Sequence, residues 1–406
     1  MRYQHKRWAG VPAAAVAVAL LAAACSSSSG SESNSPASGS PSASGASTTQ
    51  LNTIVEQATQ GLVTATGQDS ILPGDIKPVT SFSGPAPAAL PKGKTIKLAV
   101  ISCAPTGGCL NTANTMAAIA GKLGWQSSVA SSNGTPSTAQ QLFSNALTQN
   151  VDAIVSVAVP GIFVQQQLHE AKQRGVTTIE VNGSSLSGPG YDGYVDFREP
   201  LTKALLAAWI AKDSGGKAHT LWLDAQGNAD LGIAAGKGMY KLCTGCSSDS
   251  ESWAITDFLN PVTVQQKLSA VLQSKPDTDY VVWPTDGLPL SPAAQAISQS
   301  GGSGRVKIVS SDLDPSAQSL IKSGQVVVAA GSQGWLSLAG IDAVIRGIAG
   351  KPIPAADAWG VGVQYFDKAN LPSQGTYSAY DAGIKAKVDF VTPYAKAWGV
   401  DLSTIS

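Results

Sequence analysis

The chain has 406 residues, enough for two domains of ordinary size with appendages. Charged residues make up 13%, and setting aside Arg2, Lys6 and Arg7 of the leader leaves 24 basic against 27 acidic side chains. This mildly acidic balance gives no electrostatic basis for binding nucleic acid.

Residues 1–24 have the features of a secretion signal. The basic segment MRYQHKRW precedes the apolar segment VPAAAVAVALLAAA, which is short for a bilayer span. The ending LAAAC resembles a bacterial lipobox, and this resemblance implies cleavage before Cys25 and acylation of its thiol. An ordinary signal peptide with an incidental cysteine is the alternative. Residues 25–50 are rich in Ser, Gly and Pro, which predicts a flexible tether behind the anchor.

Residues 51–92 are predicted to form a docked helix and an extended strap. Apolar residues recur at helical spacing over Leu51–Val63, and the prolines between 71 and 94 favour extended backbone. Next comes a series of strands and helices that begins at Lys97. Its predicted strands are 97–102, 126–131, 152–157, 177–181 and 194–197, and its predicted helices are 112–123, 137–149 and 162–174.

A second series follows Phe197. Its strands are predicted at 220–224, 251–255, 279–283, 306–310 and 325–330, and its helices at 200–214, 230–242, after Asn260-Pro261, 291–300, 315–323 and 335–348. The tail is predicted to hold one or two strands and a helix near 392–398. Such alternation requires parallel sheets with right-handed crossovers and helices on both faces. The predicted fold class is therefore α/β, with two doubly wound parallel-sheet lobes.

Four cysteines remain after Cys25, namely Cys103, Cys109, Cys243 and Cys246. In an exported protein, close pairs favour the disulfides Cys103–Cys109 and Cys243–Cys246. A thioredoxin-like use of the CTGC segment is the first alternative, but this segment follows a predicted helix rather than opening one, so activation of the thiol by a helix N-terminus is missing. A four-cysteine zinc site is the second, but the two pairs fall in different predicted lobes.

Several segments together resemble the type I periplasmic solute-binding proteins, near the ribose and galactose receptors. They are KLAVIS (97–102), VDAIVSV (151–157), GVTTIEVN (175–182), DTDYVVWPTDG (277–287), VKIVSSDLDP (306–315) and GIAGKP (347–352). The resemblance implies two lobes joined by a three-segment hinge: residues 93–197 with about 334–360, and residues 198–333 with about 361–406. It also implies a monomeric receptor that closes on a solute and delivers it to an ABC permease with a separate ATPase.

The resemblance also implies ligand-binding positions. The loop after the first strand points to Ser102, Thr106 and Asn111, and the second lobe supplies Asp286 and Asp312. Gln333 matches a glutamine beside the hinge. Where sugar binders commonly have an Asp-Arg pair after the fourth strand, this chain has Asn182-Gly183, and the segment 228–231 lacks the arginine of the second lobe.

The side-chain chemistry favours a sugar or polyol. Carboxylates and amides bind hydroxyl groups, and an aromatic ring covers the C–H face of a sugar. Asp286, Asp312, Asn182 and Gln333 are the polar candidates, with Asp224 at another strand end, and Trp283 and Trp335 are the aromatic ones. Packing in the core is the alternative for each tryptophan. A helix N-cap or an Asx turn is the alternative for Asp224, Asp286 and Asp312. Asp196 is predicted to lie in the hinge.

The sequence gives weak support for an enzyme. It contains no G-x-S-x-G elbow and no cluster of His, Asp and Glu for a metal, and GIAAGKG at 232–238 is too short for a P-loop. No cofactor is expected. Presentation of the solute to a membrane signalling kinase, or reception of a non-sugar solute such as an aromatic acid, are alternatives to sugar import.

Overall fold

The computed structural model describes residues 43–67, 70–91, 93, 95–183, 190–196, 198–226, 232–285 and 287–405. The predicted signal and tether up to residue 42, Cys25, Phe197, Asp286 and the segment 228–231 lie outside the described residues. Among the residues described, none of the helices is both long enough and apolar enough to cross a membrane.

The N-terminal extension is more ordered than the sequence predicts. It contains a helix, α1 (Ala43–Gln60), and two short antiparallel strands, β1 (Leu62–Thr64) and β2 (Lys77–Val79). The predicted strap thus contains an edge strand of a sheet, β2. Its residue Val79 and the paired Leu62 are buried, while Lys77 and Pro78 are exposed.

The first lobe is built on five parallel strands: β3 (Lys97–Ser102), β4 (Gln126–Ser131), β5 (Ala153–Val157), β6 (Thr177–Val181) and β7 (Gly193–Val195), in the order β4-β3-β5-β6-β7. The helices between them are α2 (Gly107–Lys122), α3 (Pro136–Thr148) and α4 (Gln165–Gln173). Leu98 and Val100 of β3 pack in one hydrophobic cluster with α2, whereas Ala99 and Ile101 pack in another with α3 and α4. Helices therefore cover both faces, as parallel sheets require.

The second lobe is built on eight strands, in the order β2-β1-β13-β12-β11-β10-β8-β9. Its own strands are β8 (His219–Gln226), β9 (Ser247–Ala254), β10 (Tyr280–Val282), β11 (Lys307–Ser311), β12 (Val326–Gly331) and β13 (Val363–Phe366). The helices that follow β7 along the chain are α5 (Glu199–Asp213), α6 (Ile233–Tyr240), α7 (Ile255–Phe258), α8 (Pro261–Ser274), α9 (Leu290–Gln299), α10 (Gln318–Lys322), α11 (Gln333–Ile348), α12 (Tyr377–Lys385) and α13 (Thr392–Trp398). Strands β8 to β12 are parallel, but β13, β1 and β2 add an antiparallel edge.

The chain passes between the sheets from β7 to α5, from β12 to α11 and from α11 to β13. Although it follows a strand of the second sheet, α11 packs against α2, β6 and β7 of the first lobe. The strap adds a further crossing, from β2 to β3. It is attached to α11, since Phe82 stacks on Trp335 and the Ala88 N–H donates to Asp342 Oδ1 at 2.6 Å.

Two predicted elements are corrected near the cleft between the lobes. Helix α2 begins at Gly107 rather than at residue 112, so Cys109 and Asn111 lie in the helix and not in the loop. The predicted helix 315–323 divides into a short 3₁₀ turn, Pro315–Ala317, followed by α10.

Candidate functional site

A cleft lies between the two lobes at the carboxyl ends of their parallel strands. Its first-lobe lining includes Cys103, Ser132, Ala158 and Asn182, each of which comes shortly after one of β3, β4, β5 and β6. The second lobe contributes residues that follow β9, β10 and β11. The empty space is about 990 Å³, part of it open to solvent. Open α/β sheets bind ligands at this edge, where loops from several strands converge.

The first-lobe wall is mainly apolar and is fixed by a disulfide. Cys103 and Cys109 are bonded, with their Cα atoms 5.7 Å apart, and both line the cleft. The bond ties the loop after β3 to the first turns of α2. Val159, Pro160 and Phe163, which follow β5, complete this wall.

Two glycines let the start of α2 approach the second lobe and α11. Gly107 has φ +66°, and a Cβ there would lie 3.1 Å from Asp314 Oδ2. A Cβ on Gly108 would lie 2.8 Å from Gln333 Nε2. Only a residue without a side chain fits both positions without displacing these polar groups.

The second-lobe wall rests on a buried ionic network. Lys203 Nζ, fully buried in α5, lies 3.2 Å from Glu199 Oε2, donates to the Pro284 carbonyl at 2.6 Å and donates to Ser311 Oγ at 3.0 Å. The Ser311 hydroxyl lies 3.1 Å from Glu199 Oε1. The network thus joins α5 to the ends of β10 and β11, and its carboxylate Glu199 lines the cleft.

Asp312 follows β11 directly and is the most perturbed carboxyl group of the cleft. Burial and the nearby negative charge of Glu199 raise its pKa to about 7, against the opposing effects of Thr285 and Lys203. Thr285 Oγ1 donates to Asp312 Oδ2, whereas Oδ1 is buried and has no hydrogen-bond partner in the structure. An enclosed oxygen without a partner in a cleft is a candidate ligand contact.

Backbone strain also concentrates in this cleft. Among the described residues other than glycine, positive φ angles occur at Ala158, Asn182 and Asp312, which all line the cleft, and also at Asn150, Arg198 and Leu313. Such conformations persist where surrounding structure enforces them and cluster at ligand sites.

The structure brings three of the predicted ligand residues to the cleft: Thr106, Asn182 and Asp312. Three others lie behind its lining. The Ser102 hydroxyl donates to the Ala104 carbonyl at 2.8 Å, and Asn111 Nδ2 donates to Gln333 Oε1 at 2.8 Å. The last contact links α2 to α11, so Asn111 and Gln333 hold the wall rather than line it.

The two predicted aromatic contacts need correction. Trp283 and Trp335 are both fully buried and do not line the cleft. Trp283 packs edge-on against Phe258, and Trp335 stacks on Phe390 with ring centroids 5.4 Å apart. Trp283, directly after β10, and Trp335, near the start of α11, both pack in the largest hydrophobic cluster of the described residues. Asp224, on β8, also lies outside the lining.

The sequence did not point to several lining residues. Phe163 is the aromatic residue of the described lining, and Glu199 and Thr285 supply polar groups there, while Leu259 and Leu288 add apolar surface from the second lobe. The place of Glu199 before Pro200 predicts only a helix start, whereas its i, i+4 spacing from Lys203 was the signal that could have suggested the pairing.

Asp196 lies where the chain leaves β7 for α5, and its side chain is 2% exposed. Its Oδ1 accepts from the Arg198 backbone N–H at 2.8 Å. Burial raises the pKa of Asp196 to about 6, in spite of the opposing charge of Arg198.

The second predicted disulfide, Cys243–Cys246, is also present, in the turn between α6 and β9. With both pairs bonded, the four thiols are not free to form a zinc site in this structure, and the CTGC turn follows α6 rather than opening a helix. No group of three or more His, Cys, Asp and Glu that could hold a metal occurs within the described part of the chain.

Comparison with known proteins places this geometry in context. Residues 106–352 match the family model described as periplasmic binding protein domain. No curated protein sequence matches the chain. Among solved structures, a solute-binding protein from Agrobacterium vitis bound to alpha-D-tagatopyranose is similar with 19% identity and a TM-score of 0.61, over 69% of this chain and 97% of that one.

Two further solved structures show the same likeness. A glucose-galactose binding protein from Geobacillus stearothermophilus aligns with 13% identity and a TM-score of 0.62, over 69% of this chain and 100% of that one. A 5-methylthioribose-binding protein from Thermotoga lettingae aligns with 19% identity and a TM-score of 0.59, over 78% and 98% of the two chains. At these identities the likeness shows the fold.

Proposed function

The chain belongs to the periplasmic binding protein domain family, and we propose that it is an extracytoplasmic receptor that binds a small hydroxylated solute between its lobes and delivers it to an ABC importer. It acts as a receptor and not as an enzyme. Acylation of Cys25 anchors it to the outer face of the cell membrane, where it works as a monomer beside the permease.

The observation that carries the proposal is the cleft at the carboxyl ends of both sets of parallel strands. Its lining comes from both lobes, with Asn182 on one side and Asp312 on the other. A solute that contacts both sides stabilises the closed arrangement by its differential affinity for closed over open lobes. The permease then distinguishes loaded from empty receptor by this closure.

The proposed solute class rests on chemistry and on the relatives. The amide of Asn182 and the carboxyl of Asp312 can both donate and accept hydrogen bonds, since a carboxyl group with a pKa of about 7 is partly protonated at neutral pH. Among the similar solved structures, three were determined with alpha-D-tagatopyranose, with D-allose and with 5-methylthioribose, which all carry several hydroxyl groups.

A thermal-shift screen of the mature chain tests the proposal. The panel contains pentoses, hexoses, alditols, nucleosides, aromatic acids, amino acids and amines. At one hundred times its dissociation constant, a specific solute adds about 2.7 kcal/mol to the free energy of unfolding. Stabilisation by a hydroxylated compound is expected, and the absence of a shift across the whole panel contradicts receptor function.

The anchor has its own test. Metabolic labelling with a radioactive fatty acid should label the wild-type protein and leave Cys25→Ser unlabelled and released from the membrane. Equal labelling of the two proteins would show that Cys25 is not the acylated residue.

A further inference from the structure

We propose that the N-terminal extension, residues 43–67 and 70–91, is a fourth link between the lobes that favours their closed arrangement and so raises the affinity for a solute. The extension is attached to both lobes and contacts each of the three crossings between them. The inference rests on the proposed receptor function for the solute, but the effect of the extension on the separation of the lobes is testable without one.

The first part of the extension belongs to the second lobe. Helix α1 packs against α5 and β13, and β1 pairs with β13 in the eight-stranded sheet. Leu51, Ile54 and Val55 of α1 lie in a hydrophobic cluster whose other members come from the extension itself and from the second lobe. This part of the extension therefore moves with the second lobe.

The strap segment, residues 80–91 after β2, is attached to α11, which packs against the first lobe. The Ala88 N–H donates to Asp342 Oδ1 at 2.6 Å, and Arg346 Nη2 donates to the Ala86 carbonyl at 2.6 Å. The chain then enters β3 of the first sheet. The extension thus has one end on each lobe, so a rotation of the lobes must change the contacts that lie between these ends.

The extension contacts two of the crossings just after β1. At the crossing from β7 to α5, Arg198 is buried and its Nη2 donates to the Ala65 carbonyl. At the crossing from α11 to β13, the Gly67 N–H donates to Asp357 Oδ2 at 3.2 Å. Arg198 also has a φ of +64°, and strained backbone of this kind in a residue other than glycine is found at switch regions.

The strap segment contacts the third crossing and touches the α11–β13 crossing again. Phe82 stacks on Trp335, where the chain from β12 enters α11, with ring centroids 5.8 Å apart. A Cβ on Gly84 would lie 2.7 Å from the Trp359 carbonyl oxygen, and a Cβ on Gly360 would lie 2.5 Å from the Gly84 nitrogen. The absence of a side chain at both glycines permits this close approach of the two backbones.

The direction of the effect follows from the closeness of the lobes. A Cβ on Gly107 of the first lobe would lie 3.1 Å from Asp314 Oδ2 of the second, and a Cβ on Gly134 would lie 3.7 Å from Leu259 Cδ1. The contacts of the extension are therefore those of an arrangement in which the lobes touch. Loosening them raises the free energy of the closed state relative to the open state, which weakens the binding of a solute that contacts both lobes.

A matched pair of glycine variants tests the inference by calorimetric titration with the solute that gives the largest thermal shift. Gly84→Ala pushes the strap segment away from the α11–β13 crossing. Gly74→Ala, in the same extension, is the control, because a Cβ there meets nothing within 4 Å. The affinity of Gly84→Ala should fall about fivefold or more, as expected for coupling between two sites, and that of Gly74→Ala should equal wild type.

A second pair separates coupling from simple stabilisation. Phe82→Ala removes the stacking on Trp335, and Ile54→Ala removes a buried side chain of α1 from the second-lobe cluster. Both variants should have a lower melting temperature, but only Phe82→Ala should lose affinity, again about fivefold or more. Lower stability with wild-type affinity in both Phe82→Ala and Gly84→Ala would show a purely structural extension and overturn the inference.

A measurement without solute separates this inference from the receptor function. Spin labels on Gln141→Cys in α3 and Gln266→Cys in α8, both exposed, report the distance between the lobes by double electron–electron resonance. The population at long distance should be larger in Gly84→Ala and Phe82→Ala than in wild type and the two controls. Equal distance distributions in all five proteins would overturn the inference and leave the receptor function standing. If no solute of the panel binds, the receptor function fails, and the distance distributions alone decide the inference.

Discussion

The two walls of the cleft are built by opposite means. The first-lobe wall is mainly apolar and is fixed covalently by Cys103–Cys109, whereas the second-lobe wall adds to its apolar residues a set of polar groups that depends on the buried network of Glu199, Lys203 and Ser311. One wall supplies shape that does not depend on pH, and the other supplies charge and hydrogen bonds that do. Changes in the two walls should therefore have separable effects on stability and on binding.

The largest effect is expected from the second-lobe network. Lys203→Met leaves Glu199 buried without its cation, and breaking a buried ion pair in this way costs about 3–5 kcal/mol. Urea unfolding measures the loss. Lys212→Met is the control on the same helix, since its pair with Glu56 is exposed and worth about 0–1 kcal/mol. Equal stability of the two variants would contradict the role assigned to Lys203.

The first-lobe disulfide should matter for binding as well as for folding. Cys103→Ser with Cys109→Ser removes a short cross-link, worth about 2 kcal/mol of stability, and frees the wall that the ligand contacts. Affinity for the best solute should fall at least about tenfold, because the loop must then be ordered on binding.

The second disulfide provides the comparison. Cys243→Ser with Cys246→Ser removes a cross-link in a turn that does not line the cleft, and it should lower the melting temperature while leaving affinity unchanged. Unchanged affinity in the Cys103/Cys109 variant would make that bond purely structural.

Asp312 should make the second-lobe wall sensitive to pH. Its folded pKa of about 7 lies above the unfolded value near 3.8, so the folded state holds the proton more tightly. The resulting stability is fully present below about pH 4 and is lost as the pH rises through 7. Wild type loses this stability between pH 5 and pH 8, and Asp312→Asn does not. The free energy of unfolding of Asp312→Asn, taken relative to wild type, should thus rise by on the order of 1 kcal/mol or more over this range.

Urea unfolding at the two pH values measures this double difference. Asp257→Asn is the control, because the Asp257 pKa is lowered, chiefly by the hydrogen bond from Lys267, and both its folded and unfolded forms are ionised over this range. If the difference in unfolding free energy between Asp312→Asn and wild type were the same at both pH values, a raised pKa of Asp312 would be contradicted.

The smallest effect is expected at the junction of α2 and α11. In Gly108→Ala the new methyl group displaces the Gln333 amide, which weakens its bond with Asn111 and costs about 0.5–1.5 kcal/mol. Gly121→Ala in the same helix is the control, since a Cβ there meets nothing within 4 Å, and it should be neutral or stabilising. Thermal unfolding compares the two variants. If Gly108→Ala were more stable than Gly121→Ala, the close contact between Gly108 and Gln333 would not limit the size of the residue at position 108.

Periodicity predicted buried parallel strands such as β3 and β6 well, because their continuous apolar pattern ends at small and polar residues, and their limits agree with the structure. It missed the antiparallel edge, since β1 and β2 are three-residue strands whose pairing depends on a distant partner, β13. It also placed the start of α2 too late, because the Gly107-Gly108 pair suggests a loop.

The site was predicted in part for a similar reason. Asn182 and Asp312 were identified by position, as polar residues directly after strands, and strand ends are fixed by local pattern. Trp283 and Trp335 were misplaced because the direction of a side chain depends on which layer covers it. The i, i+4 spacing of Glu199 and Lys203 allows their pairing, but the burial of the pair was not predicted, since its remaining partners lie more than eighty residues away in the sequence.

The most direct test of the account is calorimetric titration of wild type and Asp312→Ala with the solute that gives the largest thermal shift. We expect one site per chain and a loss of at least about tenfold in affinity for the variant, because Asp312 Oδ1 then no longer bonds the ligand. Equal affinity of the two proteins, with the variant fully folded, would place the solute outside this cleft and contradict the central claim.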